Sequence, residues 1–374
     1  MPDHDVIVVG AGPVGLLTAC LMIQKGLDVV VCEKHSGQDP RTRAIGIHPP
    51  GLDALDEAGL GQRVRAEALA LKGGDVLSRG RMLASVDFAE ERRIMILPQR
   101  RTGTLLRERL AHLAPGALRL GCSAISARDE GDFARLTVET GGVRHELTAS
   151  LLIASDGVRS SLRDGLGVPW RTQAGAATYA MLDAPDASAD DRARLHCEPG
   201  GLVECFPLTD GTRRWVVRES ESDGSLDEVD AFRTAIRERI GVELAPPPGA
   251  RPIVFRAAQH RAGRTVIGRI VLLGDSAHEV SPIGGQGMNL GWVAARRLAD
   301  AVGDLGIATA ADLREVERRN ARTARRVQRR ARFYMSMGAP VEGIALGARE
   351  RVIRTLGSPP LQQRMAALIT MARL

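Results

Sequence analysis

Four short runs of consecutive apolar residues stand out along the chain, at 6–9, 29–31, 151–154 and 270–273. Runs of this length without alternation predict strands buried on both faces, as in a parallel sheet covered by helices. Between the first two, an apolar stretch from Pro13 to Gln24 predicts a helix that Gly26 ends. Strand, turn, helix and strand within 33 residues form the unit from which parallel sheets are built. Pro49 and Pro50 open a further helix reaching about Ala58, and another runs from about Thr102 to Leu113. Alternating segments at 117–149, broken by Gly131, Gly141 and Gly142, predict an antiparallel meander. From about 170 to 265 the texture changes to strands and turns, including 202–206 and 214–218, with one helix near 227–240. A helix is expected from about Gly287 to Val302, and the chain is helical from about 311 onward.

Each predicted parallel strand except the second leads into a glycine segment. After the first comes Gly10-Ala11-Gly12-Pro13-Val14-Gly15, with Glu33 closing the next strand 18 residues past Gly15. In such a segment Gly10 permits a tight turn, Gly12 lets the backbone approach a pyrophosphate, and Gly15 lets helix and strand pack closely. The helix N-terminus offers free N–H groups to the phosphate, and Glu33 stands where an acid accepts hydrogen bonds from ribose hydroxyls. This predicts a nucleotide without choosing between FAD and NAD.

Two later segments favour FAD. Gly274-Asp275-Ser276-Ala277-His278 follows the last apolar run, and Pro282-Ile283-Gly284-Gly285-Gln286-Gly287-Met288-Asn289 follows it in turn. Asp275 is placed for a ribityl hydroxyl or a pyrophosphate-bound water. The second stretch enters a helix whose first amides suit the negative N1–C2=O edge of a reduced flavin. A further segment, Ala154-Ser155-Asp156-Gly157-Val158-Arg159-Ser160, lies at another strand end, where open α/β sheets place ligands.

With these motifs the chain resembles the class A FAD-dependent aromatic monooxygenases, the para-hydroxybenzoate hydroxylase-like family, and within it the polyketide and phenol hydroxylase branch. The resemblance covers about residues 4 to 300. It implies an α/β fold, with a Rossmann-type FAD-binding domain (1–170 and 266–305), an inserted mixed or antiparallel substrate-binding sheet domain (171–265) and C-terminal helices (306–374). It also implies that Gly10, Gly12, Pro13, Val14, Gly15, Glu33 and Lys34 hold the ADP half of FAD. Asp156, Gly157 and Arg159 would serve FAD and NAD(P)H; Gly274 and Asp275 would meet the ribityl side. Pro282, Gly285, Gln286, Gly287, Met288 and Asn289 would line the isoalloxazine, with Arg43 and Gln99 beside the flavin. The implied reaction uses NAD(P)H and O2 to hydroxylate an aromatic or polyketide-derived substrate through a flavin C4a-hydroperoxide. Epoxidation, Baeyer-Villiger-type oxygenation, reduction, or FAD-bearing ligand binding without turnover stay open as alternatives, as does monomer or homodimer. The sequence names no catalytic base: His48, His278, His196 and Glu204 are candidates without a decisive signal, and at His278 a structural or flavin-adjacent role is favoured.

Composition narrows the partners. Of 374 residues, 44% are hydrophobic and 26% charged, as in globular chains, and an aromatic share of 3% argues against a nucleic-acid stacking surface. Five scattered cysteines, Cys20, Cys32, Cys122, Cys197 and Cys205, show no metal-ligand spacing, so no metal is expected and a reducing compartment fits. Neither a signal peptide nor an 18-residue apolar span is visible, which makes a cytoplasmic protein the expectation. The arginine-rich run at 318–332 reads as a solvated helix face partly balanced by Glu315 and Glu317.

Overall fold

The computed structural model describes residues 1–37, 44–186, 188, 190–302 and 308–372. The apolar runs become neighbouring strands of one sheet. Ile270–Leu272, Val143–Ala154, His4–Val9, Val29–Glu33 and Leu118–Leu120 pair in that order, all parallel. Their side chains alternate between two cores. Val6, Val8, Val29, Val31, Leu151 and Ile153 face helices, while Ile7, Val9, Val30, Leu152 and Ala154 face the opposite side. This is why the runs lack a polar alternation: neither face meets water. The helices Pro13–Gln24, Gln99–Leu113 and Gly287–Val302 cover the first side.

The meander forms as Cys122–Asp129, Ala134–Thr140 and the first half of Val143–Ala154. That last strand is continuous, so its second half lies in the parallel sheet and its first half in the meander.

A second sheet of eight strands runs in the order His278–Glu279, Ile253–Ala262, Trp170–Pro185, Thr212–Arg218, Gly201–Pro207, Arg192–Glu198, Gly73–Ser78, Arg81–Asp87. Its members are not confined to 171–265, because Gly73–Ser78 pairs parallel with Arg192–Glu198 and brings its hairpin partner along. The helix Val229–Ile240 covers the outer face through Phe232 and Ile236 against Val203, Cys205 and Val217. Leu202, Tyr179, Met181 and Val216 form the inner face and pack with Ile283, Met335 and Ile353. Ile283 belongs to the glycine-rich stretch after the parallel sheet; Met335 and Ile353 belong to the helices Ala310–Met337 and Gly343–Leu356. The inner face therefore closes over the end of the first sheet. No helix among the described residues is long and apolar enough to cross a membrane.

Candidate active site

The four strands that carry the motifs end level: Val9 is in register with Ala154 and with Cys32, and Ala154 with Leu272. Their loops therefore emerge side by side. Gly10 has φ 101°, and a Cβ there would lie 2.5 Å from the Ser155 carbonyl oxygen. At Gly15 a Cβ would stand 2.0 Å from the Gly10 carbonyl oxygen and 2.5 Å from Ser155 Oγ. Both glycines are thus demanded by the approach of the first and third motifs. Gly12 has nothing within 4 Å of its would-be Cβ. It is the N-cap of Pro13–Gln24 and makes no side-chain cap, so the helix's first amides and its positive end face open space. Beside this opening, Glu33 accepts hydrogen bonds from the Ala11 N–H (2.7 Å) and the His35 N–H (2.9 Å). Lys34 follows it, exposed.

The second glycine segment clamps the first. Gly274 has φ 69°, and its Cβ would meet Val14 at 3.2 Å; at Gly291 the distance to Val14 would be 2.4 Å. Trp292 Nε1 donates to the Pro13 carbonyl at 3.0 Å. Ser276 Oγ donates to the Ala154 carbonyl at 2.6 Å, tying the Gly274–Ser276 turn to the third motif. Asp275 is exposed on that turn, as is Arg159 beyond Gly157.

Three buried polar groups of these motifs lack partners among the described residues, His278 Nε2 and two more. Asp156 Oδ1 is one, and burial raises that carboxyl above its ordinary value. The other is Gln286, whose amide oxygen and nitrogen are both unpaired at 1% exposure. Buried polar groups are rarely left unpaired, so each asks for a hydrogen-bonding ligand or water. An uncapped helix end, a glycine with room above it and these orphaned groups fit a dinucleotide with a polar ring system.

The FAD binding domain family (FAD_binding_3) matches residues 3–331. The chain belongs to this family. Among its relatives is 6-methylpretetramide 4-monooxygenase of Streptomyces rimosus, 32% identical over 81% of this chain and 57% of its own length. Para-nitrophenol 4-monooxygenase of a Pseudomonas strain is 32% identical over 79% of this chain and 77% of its own. The chain thus spans little more than half of the first relative and about three quarters of the second. Among solved structures, p-nitrophenol 4-monooxygenase of Pseudomonas putida superposes with a TM-score of 0.86 at 23% identity, covering 99% of both chains. The anhydrotetracycline hydroxylase of Streptomyces rimosus gives 0.79 at 27% identity over 99% of this chain and 76% of that one. The para-hydroxybenzoate hydroxylase-like fold is thereby shown.

Within this FAD-family framework the remaining expected residues fall into distinct roles. Asn289 is fully committed to the protein: its Nδ2 donates to the Gly46 and Gly285 carbonyls, each at 3.0 Å, and its Oδ1 accepts from the His48 N–H at 2.9 Å. Its side chain fastens the Gly46–Ile47 strand to the glycine-rich stretch. Gln99 exchanges backbone and side-chain hydrogen bonds with Ala44, while Arg43 lies outside the described residues. Gly287 and Met288 open the helix Gly287–Val302, which has no acid in its first turn to oppose a negative ring edge.

Sequence reading overlooked three residues. Arg107 reaches the Ala11 carbonyl at 3.5 Å and keeps a buried Nε unpaired. Trp292 and Ser155 lock the loops as described. Arg107 and Trp292 carry no sequence signature, because each matters only through its tertiary neighbour; Ser155 stands in the third motif, where sequence alone assigns it no role.

The base candidates separate clearly. Burial, then Arg261 and Arg325, hold His278 down at about 4. Burial alone leads at His48, also about 4, whose Nδ1 is unpaired. Both are neutral at pH 7. His196 stands opposite Val203 on the helix-covered outer face, away from the flavin-side stretch. Glu204 stands on the inner face, between Leu195 and Val216 on the adjoining strands. It is 3% exposed, has no hydrogen-bond or ion-pair partner among the described residues, and burial pushes its carboxyl up to about 7. Tyr179, on the same face, has its phenol raised above its ordinary value first by burial, with the Arg218 charge opposing and the Glu204 charge adding.

Proposed function

We propose that the chain is an FAD-dependent monooxygenase that uses NAD(P)H and O2 to hydroxylate an aromatic or polyketide-derived compound. The observation that carries this reading is the arrangement of the three motifs at level strand ends beneath the inner face of the second sheet, where Ile283 of the glycine-rich stretch packs. Bound there, FAD would supply reduction by NAD(P)H and the activation of oxygen.

The chain's own residues would do the binding, orienting and proton handling. The amides after Gly12, with Glu33 and Arg107, would hold the ADP half; Asp156 and Gln286 would find their missing partners in the cofactor. The segment 282–289 would line the ring, Asn289 fixing its backbone through Gly46 and His48. A phenolic substrate would lie against the apolar inner face, which excludes water through Leu202, Met181 and Val216. Glu204 would take the phenol proton, since a base titrating near the working pH is the most effective and loss of that proton makes the ring a better nucleophile.

The test is turnover. Purified yellow protein should oxidise NADH or NADPH faster with a nitrophenol, hydroxybenzoate or polycyclic phenol present, and ¹⁸O2 should label the product. Substrate-stimulated NAD(P)H oxidation without label in any product would point to reduction instead. Ligand binding without either would point to a carrier. Protein that takes up no FAD would end the reading.

A further inference from the structure

The arginine-rich helix does more than face solvent. Residues three and four apart on a helix share a face, and Arg322, Arg325, Arg326, Arg329 and Arg332 of Ala310–Met337 line one cavity of about 460 Å³ with Arg261 of the second sheet. That volume lies in the range of small-molecule sites. Among the described residues no carboxylate lines it, and none of these six arginines has an ion pair; of the two balancing glutamates, Glu315 is spent on Arg318 and Arg319, and Glu317 accepts from the Thr265 and Val266 N–H groups. Arg261 is held below its ordinary value by burial and by the neighbouring Arg325 and Arg171 charges. Like charges gathered without a counter-charge are unfavourable and await an anion.

A second, independent feature lies in the same cavity. Gln328 lines it at 2% exposure; its Nε2 donates to the His260 and Glu279 carbonyls at 2.8 and 3.0 Å, which fixes the amide's orientation. Its Oε1 is buried and accepts nothing. A bare anion would satisfy the arginines and leave Gln328 Oε1 empty. A ligand carrying phosphate and a hydroxyl or N–H donor would satisfy both.

We infer that this cavity is a binding site for a phosphate-bearing nucleotide, with the arginines on its phosphates and Gln328 Oε1 accepting from a hydroxyl or N–H of the same molecule. The five helix arginines are exposed, and a duplex or a bilayer would use them alone, whereas a small molecule seated among them could also engage the buried Gln328 amide. The nucleotide has two sources: the phosphates of the NAD(P)H used in the proposed reaction, or a separate effector. Only the first source rests on that reaction.

The experiment is calorimetric titration of the FAD-loaded protein with ADP and 2′,5′-ADP, the flavin site being filled, in 20 and 300 mM salt. It compares the parent with R325E/R329E, with the neutral R325Q/R329Q, and with R351E, an exposed arginine on the helix Gly343–Leu356. Expected is binding that weakens with salt, falls at least tenfold in R325E/R329E and less in R325Q/R329Q, and is kept in R351E, with flavin content unchanged. Competition of ADP with NAD(P)H and a raised KM at unchanged kcat in R325Q/R329Q would assign the co-substrate; binding without competition would assign an effector. No binding by the parent, or binding equal in the parent and R325Q/R329Q, would overturn the inference. Binding needs no turnover, so this result stands apart from the monooxygenase test.

Discussion

Glu204→Gln gives the sharpest quantitative test of the buried inner face. The carboxyl rises from an ordinary 4.5 to about 7 because burial penalises its charged form and nothing among the described residues compensates it. The unfolded chain, with the lower value, releases the proton first as pH rises, so the folded protein loses stability between the two values. Below 4.5 both states are protonated and the penalty vanishes; above 7 it is complete. Linkage puts the penalty below about 1 kcal/mol at pH 5 and at roughly 3 kcal/mol at pH 8. Glutamine keeps the shape and carries no proton to lose. Urea denaturation of parent and E204Q should therefore show the variant gaining roughly 2 to 3 kcal/mol on the parent between pH 5 and pH 8. Parallel stability curves over that interval would refute the reasoning, because they would mean the carboxyl is solvated or paired. The same variant, fully loaded with FAD, should lose the ascending limb of kcat with pH on a phenolic substrate while still oxidising NAD(P)H.

Other outcomes follow from the loops. Gly15→Ala places a methyl 2.0 Å from the Gly10 carbonyl oxygen and should yield protein without bound flavin, read as the ratio of 450 to 280 nm absorbance. Asn289→Ala strips partners from the His48 N–H and the Gly46 and Gly285 carbonyls, and should cost about 2 to 4 kcal/mol in urea denaturation and weaken flavin retention. Trp292→Phe keeps most of the buried ring and loses one bond to Pro13, so its cost should be nearer 1 kcal/mol with flavin still bound. Arg107→Ala should raise the Kd for FAD by about tenfold, the magnitude of one charge-assisted contact, without altering the far-UV spectrum.

The parallel sheet was legible because its strands are buried on both faces and so carry no polar positions, as at Val6–Val9 and Ile270–Leu272. Its glycine loops were legible because backbone approach at Gly10 and Gly15 excludes any side chain. The partnership of Gly73–Ser78 with Arg192–Glu198 was not, since a parallel pair more than a hundred residues apart leaves no local mark. Nor could the sequence separate His196 from Glu204. They lie eight residues apart in chain, and only the register of their hairpin, with Leu195 opposite Glu204, puts one outside and the other inside. At Asn289 the expectation lay on the backbone amide, and nothing local in the sequence marks that its side chain spends three hydrogen bonds on the backbone of Gly46, Gly285 and His48.

The long strand Val143–Ala154 joins meander and parallel sheet, and its neighbour Ile270–Leu272 comes from beyond most of the second sheet. During synthesis, then, the first glycine loop leaves the ribosome more than two hundred residues before the last strand that frames it. The nascent protein must keep apolar edges out of trouble for that whole interval, which makes chaperone supply and growth temperature the practical levers on yield. A chain truncated before Ile270 would leave the edge of Val143–Ala154 open at Leu152–Ala154, a place for another chain to pair.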